Sequence, residues 1–207
     1  MPQGAGLALF GDWGKAKALL GTLAQRFKTA ANQAMLQEAE FLRAELIKYM
    51  REGELRPLSP KTIAIRRFGS ARDRRRFKGT RPLTRAGDLR NSIRVHKSPD
   101  GILIGILKSA KGKDGQKLIN VAQIMEFGSK PFVIHVTKKS SAYYHAALAR
   151  AGIPLPSSGG HGGGGYPIVI VRIPPRPVFR PVFEKFGKPQ DVRARVAERL
   201  SKLLTVT

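Results

Sequence analysis

From Asp12 to Arg51 the chain runs without a proline, and its apolar residues recur at helical spacing: Leu20, Leu23, Phe27, Ala30 and Ala34, then Phe41, Leu42, Leu46 and Tyr49. Asp12 offers an N-cap, and Gly53 with Pro57 supplies a stop. The stretch predicts one long helix or two in line. At about 1.5 Å per residue a continuous helix would run roughly 60 Å, longer than a small domain is wide, so part of it must project or lie on a partner subunit. That geometry favours an assembly. The alternative is a helix broken near Gly21 or Asn32 and folded back on itself.

Charge is the next constraint. Lys and Arg number 38 against 14 Asp and Glu, a formal net charge of +24, beyond what solubility requires, and this predicts a polyanionic neighbour. The absence of cysteine from the 207 residues removes disulfides, thiol nucleophiles and thiolate metal sites. His96, His135, His145 and His161 share no metal-ligand spacing, so no metal, cofactor or catalytic residue is assigned. Glu38, Glu40, Glu45, Glu52 and Glu54 are interspersed with Lys and Arg along the long helix and read as a solvated face, not as paired catalytic carboxylates. The start, Met1 to Gly11, lacks the basic flank and apolar run of a secretory signal. Ala151 to Val171 matches a membrane span in length only, since its Pro and Gly would leave backbone groups unsatisfied in lipid. A soluble intracellular protein is expected.

Beyond the helix, Ser59 ahead of Pro60 marks a second helix start. Arg66 through Arg94 then holds eleven Lys or Arg against Asp73 and Asp88, broken by Gly69, Ser70, Gly79 and Pro82. Residues 66–81 read as a mobile basic loop. Arg66, Arg67, Arg72, Arg74, Arg75, Arg76 and Lys78 are its candidate contacts to DNA phosphates or to an acidic protein, because guanidinium groups stay charged and grip phosphate or carboxylate bidentately. No zinc-finger spacing, aromatic RNA-binding strand or basic region leading into heptads accompanies them, so contact with nucleic acid would be non-specific.

Asn91 to Lys97 and Gly101 to Leu107 predict a hairpin about Pro99-Asp100. Leu118 to Phe127 predicts a short helix ended by Gly128, and Pro131 to Thr137 and Tyr166 to Ile173 an antiparallel strand pair. The insertion 138–165 between those strands includes a candidate helix, Ser141 to Ala151. It ends in a run of Gly that lacks the Gly-Lys-Ser/Thr ending of a phosphate loop and reads as a flexible linker. Pro174-Pro175-Arg176-Pro177 introduces a short helix ending near Gly187, with Val178, Phe179, Val182 and Phe183 on one side. Val192, Val196, Leu200 and Leu203 make the last helix amphipathic.

Four segments taken in order carry a resemblance: Pro57 to Ile63 (PLSPKTI), Pro82 to Ile93 (PLTRAGDLRNSI), Val121 to Ser129 (VAQIMEFGS) and Ile173 to Pro181 (IPPRPVFRP). Together they resemble the virion morphogenesis family of tailed phages, the neck and tail-completion proteins, over more than half the chain. Arg85-Ala86-Gly87 stands where that pattern has Thr-Gly, and Ile124-Met125-Glu126 lacks its common His. The resemblance implies an α+β fold: a small antiparallel β-sheet packed by helices, with a long N-terminal helix and extended loops. Residues 1–56 would form a helical arm and 57–207 the core.

It implies a non-enzymatic structural protein of the phage neck, a head-to-tail connector or tail-completion component. Copies would form a ring around the channel for packaged double-stranded DNA, with portal-side, head-completion or tail-terminator proteins as neighbours and no membrane partner. The expected location is the virion, and the host cytoplasm during assembly. Phe127, Arg176, Phe179 and Phe183 are the candidate subunit interface, although Phe179 and Phe183 also fit a core position. Two alternatives stay open: a free-standing non-specific nucleic-acid-binding protein, and an assembly chaperone absent from the mature particle.

Overall fold

A computed structural model describes residues 12–69, 80, 82–83, 87–99, 101–113, 115–135, 137–154 and 168–205. The fold is α+β, with a long N-terminal helix and small antiparallel sheets. The helix α1 is continuous over Trp13–Glu52, unbroken at Gly21 and Asn32. Asp12 caps it, its Oδ1 accepting from Lys15 N at 3.2 Å, and Gly53 N closes the other end on Tyr49 O at 2.7 Å. The Lys15 ammonium, 2.9 Å from Asp12 Oδ2, and then the Lys15 backbone N–H hold the Asp12 carboxyl below its usual range.

Contacts divide the chain into two units. One comprises 1–38 with 189–207, the other 39–188. The division falls within α1, where the sequence placed the end of an arm near residue 56, and the C-terminal helix groups with the N-terminal segment.

In the larger unit, α2 (Pro60–Phe68) starts at Ser59, whose Oγ accepts from Thr62 N at 3.2 Å, with Pro60 at the first helical position. Gly87 at φ +70° opens the short helix α3 (Asp88–Ser92), turning the chain so that Leu89 and Ile93 enter the core. The strands β1 (Ile93–Ser98) and β2 (Gly101–Ile106) form the expected antiparallel hairpin in the register Ile93↔Ile106 to Ser98↔Gly101; Asp100 lies outside the described residues. Helix α4 (Leu118–Phe127) ends at Gly128 as expected. Strands β3 (Phe132–His135) and β4 (Ile168–Val171) pair antiparallel across the insertion. The described strands thus make two separate two-stranded sheets.

Between β3 and β4, α5 (Lys138–Arg150) is capped by Thr137 and packs on α2, with Ala64, Ala147 and Leu148 buried. The candidate helix of the insertion 138–165, expected at Ser141 to Ala151, is therefore present and docked, starting three residues earlier; 155–165, with the glycine run read as a flexible linker, lie outside the described residues. Helix α6 (Phe179–Phe186) follows the proline run. The core joins Leu46 and Met50 of α1, Leu89 of α3, Ile93 of β1, Leu118 and Ala122 of α4, and Val178 and Val182 around α6.

The smaller unit pairs the N-terminal part of α1 with α7 (Pro189–Thr205). Ala30, Ala34 and Glu38, one turn apart on α1, are all buried. Glu38 is only 3% exposed. Its Oε1 accepts from Arg195 Nη2 at 2.6 Å and Nε at 2.9 Å, and its Oε2 lies 3.2 Å from Arg199 Nη2. This corrects the reading of the helix acids as one solvated face: Glu40, Glu52 and Glu54 are exposed, but Glu38 falls on the inward row of α1. A buried carboxylate of this kind needs a paired cation to offset its desolvation. Arg195 and Arg199, one turn apart on α7, provide that pairing.

Candidate functional site

The four segments that carry the sequence resemblance converge on one another. Arg176, from the last segment, is buried and reaches back to the first, donating from Nε to Arg56 O at 2.8 Å and from Nη2 to Pro57 O at 3.2 Å, with Nη1 3.5 Å from Pro174 O. Its backbone N donates to Met125 O at 2.6 Å, in the third segment. Burial, and then the charge of Arg56, push this guanidinium below the usual arginine range; it remains a cation. Leu89 and Ile93 of the second segment share the core with Ala122 of the third and Val178 and Val182 of the fourth.

Glu126 adds three further links. Its Oε2 accepts from Val178 N at 2.8 Å and Phe179 N at 3.1 Å, and its Oε1 from Arg180 N at 2.9 Å. Val178, the N-cap residue of α6, has no side chain able to cap. The carboxylate of α4 supplies the missing acceptor and sets a negative charge at the positive end of the helix. Sequence reasoning assigned Glu126 no role, and a carboxylate meeting backbone N–H groups fifty residues away has no signature in spacing. Gly128, two residues on, holds φ +80°, ψ 178°, a conformation essentially restricted to glycine. A Cβ there would lie 3.0 Å from Ile173 O and 3.1 Å from Pro175 Cδ. The Glu126-Phe127-Gly128 turn is thus pressed against the proline run.

Among the candidate interface residues, Arg176 is turned inward, Phe179 and Phe183 pack against the core, and Phe127 is 68% exposed. Among the candidate basic contacts, Arg66 and Arg67 form the last turn of α2 where a loop was expected, placing cations at the negative helix end. The Arg67 guanidinium lies 5.3 Å from the centroid of the Phe68 ring. Arg72, Arg74, Arg75, Arg76 and Lys78 lie outside the described residues.

Among the described residues, three apolar surfaces are exposed. On α1, Leu19, Leu20, Leu23 and Phe27 are 53 to 67% exposed. At about 100° per residue they span one arc of the helix, and Ala30 and Ala34 project onto that same arc, so the stripe continues the buried face beyond the point where its cover ends. On the β3–β4 ribbon, Phe132, Val133, Ile134 and Ile170 are exposed, although a two-stranded ribbon is only marginally stable by itself. Between β2, α4 and α6 lies a shallow, mostly apolar groove of about 240 Å³ lined by Gly105, Ile106, Ile119, Ala122, Phe127 and Phe179, with Gln123 and Glu126 as its polar members. It shares Gly105 and Ile106 with a second depression, of about 290 Å³, bounded by Arg94, His96, Leu103 and Leu107.

Among the described residues no three His, Cys, Asp or Glu side chains gather where they would hold a metal ion, and no helix is long and apolar enough to cross a membrane. Comparisons with protein-family models, curated proteins and solved structures return no match.

Proposed function

We propose that this chain is a structural subunit of a tailed-phage neck, a head-to-tail connector or tail-completion component. Copies assemble into a ring around the channel for packaged DNA, beside portal-side, head-completion or tail-terminator proteins. The observation that carries the reading is the bare stripe of Leu19, Leu20, Leu23 and Phe27 on a chain of net charge +24. Four large side chains continuing a buried face call for a protein partner, and the charge calls for a polyanion. A ring around DNA satisfies both, because rotational copies multiply a modest charge into a collar. The motif order supports the same reading, since its four segments build one scaffold: Arg176 on the Pro57 carbonyl, Glu126 on the α6 terminus, and a shared core.

Sedimentation velocity and electron microscopy of the purified chain test it. The expected result is a closed ring with a central channel, and mass spectrometry of purified virions should find the chain in the particle. A monomer that binds duplex DNA tightly and loses it with salt would instead identify a free-standing nucleic-acid-binding protein. A ring-former missing from virions would be an assembly chaperone.

A further inference from the structure

We infer that the ring contact is head-to-tail: the α1 stripe of one copy seats in the apolar groove between β2, α4 and α6 of the next. The inference rests on the assembly reading above and names the two surfaces that make it.

The chain carries both halves of such a contact, and both are open to solvent. The stripe is convex. Leu19, Leu23 and Phe27 follow one i, i+4 row with Leu20 beside it, about 12 Å of helix from first to last. The groove is a shallow, open depression formed by Gly105, Ile106, Ile119, Phe127 and Phe179, with Gln123 and Glu126 as its polar members. Gly105 keeps it open: a Cβ built there meets no atom within 4 Å. Glycine inside a strand costs roughly 0.5–1 kcal/mol relative to alanine, and among the described residues none comes close enough to require one at this position. A helix lying flush against the strand would.

Area favours a second copy as the occupant. The four stripe residues, each more than half exposed, present roughly 400–500 Å² of mostly apolar surface, and Phe127, Leu103 and Leu107 with the groove floor present a similar amount. Apolar atoms make up about 60% of an ordinary interface, so the pair implies a contact on the order of 1,500 Å², the size of a stable protein–protein interface. Because the two surfaces differ, each copy retains a free stripe and a free groove after one contact forms, so growth continues until rotation closes a ring. An isologous pair would stop at two.

Charge gives the contact a signature. Lys15, Lys17, Arg26 and Lys28 flank the stripe and are exposed, and every copy is strongly cationic, so copies repel at low salt. Salt screens that repulsion while leaving apolar burial intact. Self-association should therefore strengthen as salt rises, the reverse of binding to DNA.

Two surface variants test the pairing. Leu20→Asp with Leu23→Asp charges the stripe, and Gly105→Phe fills the groove; circular dichroism checks that each stays folded. Leu20→Ser with Leu23→Ser, and Gly105→Leu, provide gentler versions of the same two blocks. Each variant alone should self-associate on the order of 100-fold more weakly than the wild type and sediment as a monomer. Mixed in equal amounts, the stripe-blocked and groove-blocked chains should form a dimer that grows no further, since the mixture retains one good stripe and one good groove per pair. Rings from either folded variant alone would overturn the pairing and leave the assembly reading standing, as would failure of the mixture to dimerise. A wild type that stays monomeric at all concentrations and salts would overturn both.

Discussion

Glu126 shows how a single side chain can join two distant segments. Three N–H groups at the start of α6, those of Val178, Phe179 and Arg180, end on its carboxylate, so α4 supplies the cap that the sequence around Val178 lacks. Glu126→Ala would leave those donors to water or unpaired, and would remove a charge favourable to the helix dipole. We expect a loss of about 2 kcal/mol, read as a fall of roughly 4–8 °C in Tm for a chain of this size. Glu126→Gln keeps one acceptor oxygen and should lose about half as much. Thermal unfolding followed by circular dichroism separates the two variants, and equal effects would mean that the negative charge carries the interaction. The neighbouring glycine was legible in the sequence, because Gly at the end of an apolar helical run is a stop signal. Its partner surface, the backbone at Ile173 and Pro175, was not, since close approach depends on tertiary placement.

At the scale of elements, the C-terminal helix is held through Glu38. Arg195 and Arg199 are about a quarter exposed in their side chains while Glu38 is almost wholly enclosed, so the acid depends on the arginines more than they depend on it. The Glu38 hydrogen bond raises the Arg195 guanidinium above its usual range. Glu38→Gln keeps the shape and removes the charge, leaving Arg195 and Arg199 without their shared buried carboxylate. Hydrogen exchange should then speed up through α7 by on the order of tenfold, equivalent to about 1.4 kcal/mol, with the β1–β2 hairpin unchanged. Unchanged protection in α7 would show that apolar contacts alone hold it.

Sequence made the elements themselves readable wherever period and punctuation agreed. Asp12 and Gly53 bounded α1, Pro99-Asp100 set the hairpin, Gly128 stopped α4, and a four-residue rhythm marked α7. Facing was harder to read. Glu38 lies on the row Ala30, Ala34, Leu42, Leu46, Met50, all buried, and an acid within an apolar row was the available signal; the mixed charges around it obscured the row. Arg66 and Arg67 look like the start of a basic loop because the charge run continues past them, whereas the helix begun at Ser59 extends through Phe68.

For the molecule as a whole, the net charge of +24 has to coexist, in the proposed ring, with self-association. In such a ring, copies brought together by apolar surfaces would repel one another and a polyanion in the channel would relieve that repulsion, so assembly and DNA binding should reinforce each other near physiological salt. The densest cationic run, Arg74-Arg75-Arg76, is where the duplex contact is expected. Replacing all three by Ser should leave apolar ring formation intact and weaken duplex binding. The slope of log affinity against log salt should fall by about 0.9 for each phosphate no longer neutralised, so by up to about 2.7 per protomer if all three arginines hold phosphates. Equilibrium titration of labelled duplex across a salt series reads this directly. A slope that does not move, in a variant that still forms rings, would place those arginines against an acidic neighbouring protein. The electrostatic half of the assembly would then belong to the docking of ring on ring, with the genome passing through a channel lined by other residues.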